Sequence, residues 1–201
     1  MFVAVAAASA AVVDRIAVVV GTHAIKTSDI ERELRVASFL NRQALDESSA
    51  SMHKAAERLI DQELVRQDLI AGQYKLPTEK DADAFLQQLK RDRFRGSEQQ
   101  FQSELARHHL TEDQLRRQLL WQLTVLRFID QRFRPGVIVT DEDIAAWRQK
   151  YISESKTATD DQVRETVTGE RINQAFEEWL AESRKNVRVE YRPQAFIGNT
   201  Q

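Results

Sequence analysis

Histidine has the broadest chemical use of the residues in this 201-residue chain, because imidazole binds metals and moves protons near neutral pH, and the chain has four. Two of them are adjacent, His108-His109. Neighbouring residues on a helix diverge by about 100°, so this pair is poorly set to chelate one ion, and a place at a helix C-terminus accounts for it through the macrodipole. His23 and His53 have no acidic or histidine neighbour at ligand spacing, so no metal site is expected there. The acid pairs Asp81/Asp83 and Asp141/Asp143 stand at predicted helix starts, where the same dipole favours carboxylates. The basic run Lys90 to Gly96, with Phe94 interleaved, reads as a surface helix end in a near-neutral chain rather than an anion groove. There is no Gly-rich phosphate loop, nucleophile elbow or His-Glu-x-x-His helix. Without cysteine, thiolate catalysis, disulfides and Cys-based zinc sites are excluded. No catalytic residue, metal ligand or cofactor is assigned, and the chain does not read as an enzyme.

The composition is that of a folded globular protein, 42% hydrophobic and 30% charged. With 29 basic and 31 acidic residues the net charge is −2, which supplies no field to hold a polyphosphate backbone. Nucleic acid is therefore not an expected partner. Residues 1–11 are apolar and carry Ala8-Ser9-Ala10, a small-x-small pattern of the kind signal peptidase accepts. They read as a signal peptide with its basic start missing, no Lys or Arg preceding Arg15, or otherwise as an apolar tail. The run is far below the roughly 20 residues a bilayer span needs. An integral membrane anchor is not expected.

The positioning elements are predicted to be mostly helical. Arg15 to Val20 is a β-branched strand that can pair with Ala24 to Lys26 across Gly21-Thr22-His23. Ser28 with Glu31 has the capping-box spacing and opens a helix to about residue 43. A second helix, about 51–71, presents Ala56, Leu59, Ile60, Glu63, Leu64, Gln67 and Ile70 on one face and ends at Gly72. Pro77-Thr78 restarts the chain into a third helix with Phe85, Leu86 and Leu89 as its core stripe. Ser97/Gln100 heads a short helix and Thr111/Gln114 a long one, to about residue 133, with Leu115, Leu119, Leu123, Leu126 and Ile129 inward. Thr140/Asp143 caps a helix to Tyr151, residues 152–159 form a linker, and a last helix spans about 160–185. Val187, Val189 and Tyr191 alternate as a half-buried strand, whose natural partner is the N-terminal one. The expected fold is mainly α: a bundle of six to seven helices with a small sheet pairing the N-terminal and C-terminal strands.

Many short helices rich in Phe and Trp need not pack into one ball, and a cleft between them is where a partner binds. The candidate contacts are Phe39, Leu40, Met52, Phe85, Phe94 and Phe101, in a cleft bordered by the helices of residues 28–107.

Four segments in order, residues 12–35 ("VVDRIAVVVGTHAIKTSDIERELR"), 55–86 ("AAERLIDQELVRQDLIAGQYKLPTEKDADAFL"), 101–130 ("FQSELARHHLTEDQLRRQLLWQLTVLRFID") and 137–151 ("VIVTDEDIAAWRQKY"), resemble the N-terminal chaperone domain of the SurA family of periplasmic folding factors. Residues 160–191 are similar to the C-terminal helix and strand that complete that domain. The resemblance implies a domain built from two segments, 12–151 and 160–192, in an exported chaperone that holds unfolded outer-membrane or secreted polypeptides. In that family, parvulin-type isomerase domains are inserted between the two segments. Here residues 152–159 leave no room for one, since the smallest usual domain has about 50 residues. Isomerase activity is therefore not carried over. The alternative expectation is a structural or assembly protein, in which the same cleft or an exposed strand edge holds a dedicated partner, or a second copy as a homodimer or domain swap.

Overall fold

The computed structural model describes residues 14–151 and 157–196. The proposed signal segment, most of the linker and the last five residues lie outside the described residues. Strand β1 (Ile16–Val20) and β2 (His23–Lys26) form an antiparallel hairpin, with Val20 opposite His23. Gly21 turns it at φ +59°, a left-handed conformation that glycine adopts without steric cost. On the other edge of β1 lies β3 (Val189–Tyr191), also antiparallel, with Val18 opposite Tyr191 and Val20 opposite Val189. The sheet order β2-β1-β3 therefore joins the two ends of the described chain.

The described residues form seven α-helices, of which the first two and the last pack on this sheet: α1 (Thr27–Asn41), α2 (Ser49–Ala71), α3 (Glu79–Phe94), α4 (Glu98–Arg107), α5 (Glu112–Phe133), α6 (Asp141–Lys150) and α7 (Asp160–Lys185). Most begin where the cap chemistry puts them. Thr111 accepts from the Gln114 amide while the Gln114 side chain accepts from the Thr111 amide, and Asp143 and Asp81 reach back in the same way to Thr140 and Thr78. The first helix is different. Asp29, not Glu31, accepts the Lys26 amide at 3.0 Å, and the Ser28 hydroxyl donates instead to Asp14 at 2.6 Å, tying the helix start to the residue before β1. The Ser28/Glu31 box is thus replaced by an Asp29 cap and a long-range lock.

Among the described residues, the core divides into three apolar clusters. The sheet, the first half of α1, the face of α2 bearing Met52, Ala56, Ile60 and Leu64, and Leu180 of α7 make the first. The second joins Val36 and Phe39 at the end of α1 to Leu86, Phe94, Phe101, Leu105, Leu115 and Leu119. The third is small, Ile144 of α6 against Val163 and Val167 of α7. Two apolar stripes end differently from the periodicity. Ile70, at the last turn of α2, is 81% exposed because α2 has run past its partners, and Leu126 on α5 is 64% exposed. Its place inside is taken by Phe128, which is fully buried against Tyr74, Phe133 and Trp179.

The basic run is a surface helix end at Arg91, Asp92, Arg95 and Gly96, which are exposed, but Lys90 and Arg93 turn inward and are structural. Lys90 is buried at the junction of three helices, with Nζ donating to Glu98 at 3.1 Å and to Glu112 at 2.8 Å and lying 4.4 Å from the Phe101 ring centre. Burial works against its charge, but the hydrogen bonds to Glu112 and Glu98 outweigh it and raise the ammonium's pKa. Arg93 donates to the carbonyl of Phe39 and stacks on that ring at 4.6 Å. At the other end of the molecule, Arg184 of α7 donates to Asp61 at 2.8 Å and to Glu57, and the Tyr191 hydroxyl donates to Glu57, so α2, α7 and β3 share one polar clamp. Burial and the Glu57 carboxylate push the Tyr191 phenol up to about 12.

Candidate functional site

Because α1 contributes to two clusters, a cleft opens where it passes from one to the other. Its walls are α1, α2 and the first half of α5, closed at the ends by His23 of the hairpin and Glu79 at the start of α3, and its volume is about 730 Å³. Val36, Leu59, Leu120 and Trp121 give it apolar area. Polar side chains surround them: Arg32 and Glu33 from α1, Gln62 and Arg66 from α2, and Gln114, Arg117 and Gln118 from α5.

These groups are held in place from behind. Glu33 is buried and accepts from Arg58 at 2.8 Å and from Gln62 at 3.5 Å. Buried Glu63 accepts from Arg66 at 3.0 Å and from Gln67 at 3.2 Å, and His23 Nε2 lies 3.7 Å from the same carboxylate. The Arg66 guanidinium then lies 4.8 Å from the centre of the Trp121 ring, so the indole is fixed as a flat apolar face with a cation above it. Such a surface can pack against an apolar side chain while glutamine amides and guanidinium groups exchange hydrogen bonds with peptide groups.

A second concavity, about 500 Å³, runs between α3 and the second half of α5. Pro77, Ala84, Phe85, Leu123 and Leu126 line it, with Asp81, Gln88, Arg127 and Asp130 at its rim. Thr78 donates to Asp81 through its amide and its hydroxyl and holds that carboxyl below the usual carboxylate range, with Arg127 adding to the effect.

The six residues singled out from sequence do not gather in one place. Phe39 and Phe101 are fully buried, Phe94 is nearly so, and the three rings contact one another in the second cluster at centroid distances of 5.4 to 6.3 Å. Met52 is buried in the first cluster, and Leu40 is half-buried at the margin of the second. Phe85 alone of the six is exposed, in the α3–α5 groove. The cleft wall expected from the helices of residues 28–107 is supplied in large part by α5. Trp121 and Arg66 are the residues the pattern missed, and the available signal was that Trp121 falls off the Leu115/Leu119 stripe.

The histidines are dispersed. His108 caps α4 and is buried edge-on to Phe39, with Nε2 3.4 Å from Glu104, while His53 stacks on Phe196 at 4.1 Å. Among the described residues, no group of three or more His, Asp and Glu side chains is gathered to hold a metal ion. No described helix is long and apolar enough to cross a membrane.

No protein-family model and no curated protein matches this chain. The outer strands of the sheet are β2 and β3, and beside β3 Glu190 pairs with Arg188 and Arg192.

Proposed function

We propose that the protein is an exported, non-catalytic holdase that shelters unfolded outer-membrane or secreted polypeptides in the cleft between α1, α2 and α5. The observation that carries this reading is the Trp121 ring, pinned beneath Arg66 at 4.8 Å and open to a cleft of about 730 Å³. The two-segment construction supports it as well: β3 and α7 return to β1, α2 and α5, which is the arrangement the resemblance to the SurA family's chaperone domain implies. Only the short stretch between Lys150 and Asp160 separates α6 from α7, so the proposed function includes no isomerase domain.

The energetics favour loose, reversible capture. Burying three client side chains at about 1.5–3 kcal/mol each returns about 5–9 kcal/mol gross. Association costs of about 4–15 kcal/mol offset most of it. Affinity is then micromolar or weaker, which suits a protein that must release what it holds. The test is the light scattering of an outer-membrane β-barrel protein diluted from urea. Suppression by the wild-type chain, reduced by Trp121→Ala with the fold intact by circular dichroism, is the expected result. Absence of suppression by a folded sample would overturn the reading.

A further inference from the structure

We propose that the cleft selects client segments in which an aspartate or glutamate stands close in sequence to an apolar side chain, a preference that rests on the holdase reading and names the chains it would hold. The charges lining the cleft balance in number, with Arg32, Arg66 and Arg117 against Asp29, Glu33 and Glu79, but not in placement. In the ion pairs that these arginines make, the cation is the outer member. The Arg66 side chain is 45% exposed and its partner Glu63 7%, Arg32 47% and Asp29 30%, and Arg117 68% and Asp113 49%. Glu33 is buried, and its carboxylate accepts from Arg58 and Gln62. A chain entering the cleft therefore meets guanidinium groups first, with their carboxylates behind them.

Two of these cations flank the Trp121 ring. Arg66 lies 4.8 Å from its centre, and Arg117 stands one turn earlier on α5, at the i, i+4 spacing that puts both side chains on one face of the helix. A guanidinium carries several N–H donors. Among the described residues, Arg66 meets Glu63 through Nη1 at 3.0 Å and Arg117 meets Asp113 through Nη2 at 2.7 Å, which leaves donors on each for an incoming group. A carboxylate is the group that fits, because it accepts from both arms of a guanidinium in one plane. A client lysine or arginine would face like charges and find the nearest acids already bonded. Gln62, Gln114 and Gln118 can bond peptide groups of any sequence and carry no preference of sign. Glu79 is exposed as well, at the α3 end, so the preference is for acids in the stretch beside Trp121, between Arg66 and Arg117.

The test is fluorescence anisotropy of the full chain with labelled peptides of about 10 residues, too short for a stable helix of their own. All share one sequence of leucine, valine, serine and glycine and differ only in whether the same positions hold glutamate, glutamine or lysine. Their C-termini are amidated, so that side chains alone carry the charge. The expected order of affinity is glutamate above glutamine above lysine, with the glutamate peptide at least about tenfold tighter than the lysine one and the gap closing at about 0.5 M salt. Arg117→Gln replaces a mostly exposed side chain, so the fold should survive, and it should cut that ratio at least about threefold; Arg66→Gln should cut it as well. Equal binding of the glutamate and lysine peptides overturns the proposal, and so does a preference that both substitutions leave intact. Either result leaves the holdase reading standing, whereas a folded chain that binds none of the peptides overturns both.

Discussion

Phe101→Ala should be among the most damaging single substitutions in the protein. The side chain is fully buried in the second cluster, its ring lies 5.4 Å from that of Phe94 and 6.3 Å from that of Phe39, and the Lys90 ammonium lies 4.4 Å from its centre. Truncating a fully buried phenylalanine costs about 3–5 kcal/mol through lost transfer free energy and the cavity left behind. The two ring pairs are worth about 0.5–1.5 kcal/mol each beyond area, which places this site at the upper end of that range. Domains of this size are stable by about 5–15 kcal/mol, so the variant keeps only part of its margin. Urea unfolding followed by circular dichroism, at unchanged slope, reads the loss as a lower midpoint. Phe85→Ala is the control, because its partly exposed ring should cost less than about 1 kcal/mol. A Phe101→Ala loss below about 1 kcal/mol would refute the assignment of these rings to the core rather than to client contact.

Further outcomes follow from the polar network. Lys90→Ala should destabilise by about 1–3 kcal/mol, whereas Lys90→Met should cost less, because Glu98 and Glu112 face solvent and can rehydrate while the methionine refills the space; thermal melts separate the two. Arg184→Ala should loosen α7 and β3 from α2 by roughly 1 kcal/mol after solvent screening, with earlier hydrogen exchange in β3 than in α3 as the readout. The Tyr191 phenol is raised to about 12 from an ordinary value of 10.0, so the folded state keeps a proton that the unfolded chain gives up first. Stability should then fall as pH rises between about 10 and 12, and Tyr191→Phe should flatten that slope in urea titrations. At the acid end, Asp14, Asp46, Asp81 and Asp143 all have lowered pKa values, from the hydroxyls and amides that bond them. Their contribution is present above the unfolded value of 3.8 and is lost as pH falls through the lower folded values, so stability should decline below about pH 4.

Local chemistry wrote most of the fold into the sequence. Thr78, Ser97, Thr111, Thr140 and Thr159 each stand where a helix begins, because a side-chain oxygen three residues from an amide acceptor or donor has one economical place to bond. The β-branched run at residues 16–20 and the alternation at 187–191 were each other's available partners, and they pair. The failures share a cause, which is that periodicity names a face but not its partner. Leu126 and Ile70 keep helical spacing with Leu119 and Glu63, yet α5 turns Phe128 inward and α2 outruns its neighbours. Lys90 looked like a surface charge because Glu98 and Glu112 are eight and twenty-two residues away, a separation only tertiary packing can close. The cleft was legible as a consequence of many short helices, but its residues were not. Trp121 and Arg66 are brought together from helices far apart in sequence.

Site-specific photo-crosslinking tests the account's central claim most directly. A benzophenone amino acid placed at Gln118, on the cleft wall, should capture an unfolded outer-membrane polypeptide, and capture should fall when Trp121 is replaced by alanine. The same probe at Lys185, on the exposed end of α7, should capture little. Equal capture at both positions, or none at Gln118 from a folded sample, would contradict client binding in the cleft.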